Sequence, residues 1–150
     1  MTRLGVIAVA MIGVVTAANA APQCYHPTEI EADQAARYQA KLMVLSDSCR
    51  SNSYNQFVNR NAETIIFYQR QLISFFRRGD ARRPEDQFDK FLTRLANQTA
   101  LTAGQEPLDS LCPRSAEFLS QAVNFGKEEF RRFVASQAAV ERKSYRICTQ

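Results

Sequence analysis

Tryptophan is absent from the sequence and histidine occurs once, as His26. A Ser-His-Asp triad would depend on that single imidazole, which stands beside Pro27 rather than on a rigid element. No Glu-x-x-His pair exists for a di-iron bundle, and no Cys-x-x-Cys or Cys-x-x-Cys-His exists for thioredoxin-type redox chemistry or haem attachment. The four cysteines do not come in the close pairs that zinc sites use. No cofactor and no metal is therefore expected, and catalysis is not the leading reading. Glu63 and Asp89 are the carboxylates a glycosidase would need, but nothing marks them as facing one another, and they read as solvated charges.

Glycine and proline are scarce, five of each. Almost no strand signal is present: apolar residues recur every three or four positions instead of alternating. Charge of one sign is not in large excess. A net charge of +4 without a dense basic stripe argues against nucleic acid as a partner. Long apolar runs are also missing. The longest, Leu4 to Ala17, is shorter than the roughly 20 residues of a membrane anchor, and no basic stop follows it.

That run fits a secretory signal peptide over residues 1–20. Arg3 precedes it, and Ala18-Asn19-Ala20 closes it with small residues where a signal peptidase reads them. A lipid anchor is not expected, because Cys24 follows Ala-Pro-Gln rather than a small-residue box. Cleavage leaves residues 21–150 as one domain without a transmembrane segment, periplasmic or secreted.

Four helical regions follow. The first begins near Thr28, with Thr28 and Glu31 as a capping box and Glu29 and Asp33 suiting the positive end of the helix dipole. Ala35, Tyr38, Leu42, Leu45 and Cys49 line one face, widened by Met43 and Val44. Ser46 to Ser53 reads as a turn. The second starts at Ser53, capped with Gln56, and its stripe runs through Phe57, Ala62, Ile65, Tyr68, Leu72, Phe75 and Phe76. Arg77 and Arg78 close it against the negative dipole end, with Gly79 in a left-handed conformation. The third spans Pro84 to Ala103, opened by Pro84, Glu85 and Asp86 and closed by Gly104. The fourth runs from about Pro113 to Ile147, with Gly126 as a kink or a full break. The Arg78-Gly79-Asp80 tripeptide resembles an adhesion signal, yet helix termination explains its setting.

Short loops make consecutive helices antiparallel. Cys24 and Cys148 then meet at one end, and Cys49 and Cys112 at the other. A Cys24–Cys49 bridge is excluded, because the helix between them spans roughly 30 Å or more. An even cysteine count in an exported chain supports two disulfides. The expected fold is thus all-α: an up-down four-helix bundle with two interhelical disulfides.

Two side-chain groups are candidate sites. Arg77, Arg78, Arg82 and Arg83 are candidate contacts for an anion or a partner. Asn59, Arg60, Asn61, Arg94, Asn97 and Gln98 fall within helices, where asparagine is a poor helix former, and suggest a polar network or a binding surface. The leading expectation is an exported, non-enzymatic module binding a protein or cell-envelope component. A small-ligand binder or an enzyme with a scattered polar site comes second, and association with anionic lipid or polysaccharide through the arginines third.

Overall fold

The computed structural model describes residues 23–79 and 82–149. The expected signal peptide, and Asp80 of the Arg78-Gly79-Asp80 tripeptide, lie outside the described residues. Among the described residues the chain forms five α-helices and no strand: α1 (Pro27–Ser48), α2 (Ser53–Arg78), α3 (Pro84–Ala103), α4 (Leu108–Asn124) and α5 (Lys127–Glu141). A 3-10 turn, Arg142–Ser144, follows α5. The all-α expectation holds, but the fourth rod is two helices.

The first helix starts earlier than the Thr28–Glu31 box implies. Its N-cap is His26, Pro27 occupies the first turn, and Glu29 accepts a hydrogen bond from the His26 backbone N–H at 2.8 Å. Proline fits there because its missing N–H would be unpaired anyway. The second cap also moves, to Asn52, with no side-chain cap bond from Ser53 or Gln56. The far end of α1 closes on Arg50, a non-glycine residue at φ 51°. Ser51 N–H reaches Ser46 C=O at 2.7 Å and Arg50 N–H reaches Asp47 C=O at 3.1 Å, the paired bonds of a left-handed helix stop. Gly79 is not left-handed: its φ is −80°. Its lack of a side chain instead admits Gln23, whose amide donates to the Phe75 carbonyl.

α1 is the central helix. Ile30, Ala32, Ala35, Ala36, Tyr38, Ala40, Leu42 and Leu45 are all buried, so its alanines serve close approach on several sides. α2 runs antiparallel to it: Tyr54 N–H bonds Ser46 Oγ near one end, and Arg78 meets Glu29 at the other. Met43 and Ala62, expected on inner faces, are exposed, while Asn61 and Thr64 are fully buried on α2. α3 lies against α1 and α2, anchored by Phe88 and Leu95. α4 and α5 cover another side of the same pair. Tyr38 sits among Phe57, Phe118, Phe125, Phe130 and Phe133, with ring centroids 5.0–5.8 Å away. Such pairs add about 0.5–1.5 kcal/mol each beyond burial.

α4 opens at Leu108, behind Pro107, rather than near Pro113. Pro113 lies just past the first turn and forfeits a single backbone bond, so the helix tolerates it. Phe125 and Gly126 then break the rod in extended conformation. The chain leaves the helix after Glu141 rather than reaching Ile147. Tyr25 and Ile147 pair as an isolated parallel bridge, with Tyr25 N–H on Arg146 C=O at 2.8 Å and Cys148 N–H on Tyr25 C=O at 3.1 Å. That extended clasp brings together the first of the two expected disulfides. They are Cys24–Cys148 and Cys49–Cys112.

Candidate functional site

The candidate polar network does not assemble as one. Arg60 and Asn61 instead stitch the α4–α5 break to α2. Arg60 donates to the Val123 carbonyl, and Asn61 Nδ2 donates to the Phe125 carbonyl at 3.0 Å and to Phe57 C=O at 3.1 Å. A helix end leaves its last carbonyls unpaired, and these two side chains satisfy two of them. Glu63, one turn further along α2, pairs with Lys127 at the start of α5. Asn59, Arg94 and Asn97 are exposed elsewhere, and Gln98 faces a groove described below. Glu63 and Asp89 do not line a common cavity.

The arginine cluster is largely committed to its own chain. Arg78 binds both Glu29 carboxylate oxygens and the Cys24 carbonyl, the last at 2.8 Å. Burial works against the charge on Glu29. The Arg78 hydrogen bond and the His26 N–H outweigh it and hold the carboxyl below its usual range. Arg83 pairs with Asp86 at 2.9 Å and Arg77 lies 3.7 Å from Glu85. Arg82 is exposed and enters no ion pair among the described residues.

α3 and α4 both lie on the α1–α2 pair but do not pack along each other. Between them a groove of about 550 Å³ opens. Its α1 wall carries Arg37, Lys41 and Leu45, which share a face at four-residue spacing. The α3 wall carries Leu95, Gln98, Thr99, Thr102 and Ala103. Leu111, Arg114, Ser115 and Phe118 form the α4 wall. The lining thus combines apolar side chains, among them Leu45, Leu95, Leu111 and Phe118, with the three cations Arg37, Lys41 and Arg114.

The three cations are held differently. Arg37 donates through Nε to Asp33 at 2.6 Å and through one Nη at 3.4 Å. Asp33 is itself buried and also accepts from the Tyr145 hydroxyl, which Gln34 reaches at 2.8 Å. Burial pushes the Tyr145 hydroxyl well above its ordinary range, and Asp33 adds to the rise, so it stays a proton donor. Arg114 pairs with Glu106. The Lys41 ammonium lies 4.7 Å from the Phe118 ring centre and enters no ion pair among the described residues.

Sequence reasoning missed every one of these groove cations. Arg37, Lys41 and Leu45 do share a face in the sequence, but only the separation of α3 from α4 turns that face into a wall. No family model matches the chain, and neither the curated proteins nor the solved structures yield a match.

Proposed function

We propose that the chain is an exported, non-enzymatic binding module whose partner or ligand docks in the groove between α3 and α4. The observation that carries this reading is the groove itself: about 550 Å³, lined by leucines and Phe118, with the Lys41 ammonium over the Phe118 ring and in no ion pair among the described residues. Binding sites commonly pair an apolar surface with a few placed polar groups. The signal-peptide pattern over residues 1–20 and the two disulfides support a periplasmic or extracellular location, since disulfides persist in oxidising compartments. Among the described residues no helix is long and apolar enough to cross a membrane. A protein or envelope component suits the groove better than nucleic acid, which would call for a dense basic stripe. Attraction to anionic surfaces through the arginine cluster is the weaker reading, because Arg78 and Arg83 are paired with carboxylates of their own chain.

Anilinonaphthalene sulfonate, an apolar dye with one negative charge, tests the groove. The oxidised protein is expected to bind it with a fluorescence increase. Lys41→Glu or Thr102→Phe should weaken binding at least tenfold, whereas Arg131→Glu, outside the groove, should leave it unchanged. Equal binding by all four proteins would overturn the reading.

A further inference from the structure

We infer that the groove takes a short, extended segment of a partner protein with two acidic residues flanking apolar ones. This rests on the groove being the docking site and adds the chemistry of the occupant.

The Cys49–Cys112 bridge supplies a ruler. At 1.5 Å per helical residue, Lys41 and Arg37 lie about 12 and 18 Å below it along α1. Arg114, on the antiparallel α4, lies about 3 Å below it. Arg37 and Arg114 therefore bracket a span of about 15 Å, with Leu45, Phe118 and Lys41 of the groove lining between them. An extended chain advances about 3.3 Å per residue, so acidic residues four apart sit about 13 Å from each other and match that span.

Length favours an extended conformation: a strand crosses that span in about four to five residues, where a helix would need about ten. Charge selects the composition. Asp33 and Glu106 each hold one of the two guanidiniums, and Lys41 remains without a carboxylate partner among the described residues. A guanidinium has five donors. Arg37 uses two on Asp33 and Arg114 one on Glu106, so both keep donors for a second carboxylate.

The walls also offer main-chain partners. Thr99 and Thr102 give their hydroxyl protons to their own helix, on Leu95 C=O and Gln98 C=O. Gln98 and Ser115 have no side-chain hydrogen bond among the described residues. Their amide and hydroxyl are thus available to the backbone of an extended peptide.

Titration calorimetry on the oxidised protein tests this with acetylated Glu-Leu-Ala-Leu-Glu amide. The comparison probes are the same peptide with both acids changed to glutamine, one with the two acids adjacent, laurate, and anilinonaphthalene sulfonate. The doubly acidic, spaced peptide is expected to bind at least tenfold more tightly than the glutamine and adjacent-acid peptides, to displace the dye, and to lose at least tenfold in Lys41→Glu. Equal affinity for the glutamine peptide, tighter binding of laurate, or no peptide binding while the dye still binds in a Lys41-dependent way would overturn the acidic-segment inference and leave the groove reading standing. Dye binding that ignores Lys41→Glu and Thr102→Phe would remove both.

Discussion

Asn61 shows how one side chain can hold two elements. It is fully buried in the first half of α2, and its amide joins the Phe57 carbonyl of its own helix to the Phe125 carbonyl at the α4–α5 break. Asn61→Ala leaves a buried carbonyl without a donor and a small cavity. A loss of about 2–3 kcal/mol is expected in urea unfolding, against less than about 0.5 kcal/mol for exposed Asn59→Ala. The sequence signalled that asparagines inside a helix need a purpose, but it could not say which of them face inward. Asn59 and Asn61 are two positions apart, on different sides of the helix. The cap of α1 misled for a related reason. Thr28–Glu31 and His26–Glu29 both present the same spacing, and Pro27 decides between them by its preference for the first turn.

Among the elements, α1 and α2 are locked at one end by Glu29 and Arg78. The pair is half-open, with Glu29 buried and Arg78 36% exposed. Arg78→Ala is expected to cost about 2–3 kcal/mol at neutral pH, less than a fully buried pair would. The pH dependence follows from the lowered Glu29 carboxyl. A depressed folded-state value stabilises the protein above the ordinary glutamate range of about 4.3. That contribution is lost as pH falls through the folded value. Urea midpoints at pH 7, 5 and 3 should therefore fall more gently in Arg78→Ala than in the parent; parallel slopes would contradict the assignment. α3 was legible to the residue, because Pro84, two acidic residues and Gly104 mark both ends. The α4–α5 rod was legible only in part. Both Pro107 and Pro113 are plausible starts, and a glycine between helical runs cannot by itself distinguish a kink from a break. The extended tail after Glu141 was not legible either, since Tyr25 and Ile147 recognise each other only once both ends of the chain are in place.

In the whole molecule, two disulfides clamp opposite ends of the helical array, closing separations of 124 and 63 residues. Chain-entropy arguments put the loss on removing either at roughly 4–5 kcal/mol as an upper guide. Their effects on binding should differ. Cys49 and Cys112 tie α1 to α4 beside the groove, so replacing both with serine should loosen its walls and weaken dye binding severalfold. Replacing Cys24 and Cys148 should lower stability by a similar amount while leaving dye affinity within about twofold in conditions where the variant stays folded. The cysteine pairing could be reasoned from antiparallel rods and helix length. The groove could not, because it arises from α3 and α4 each choosing the α1–α2 pair over one another. The most direct test of the groove as binding site is amide chemical-shift mapping of the oxidised protein during titration with anilinonaphthalene sulfonate. The account predicts that the earliest and largest shifts fall on Lys41, Thr99, Thr102, Arg114 and Ser115; shifts centred instead on the exposed Ile66–Phe67 surface of α2 would contradict it.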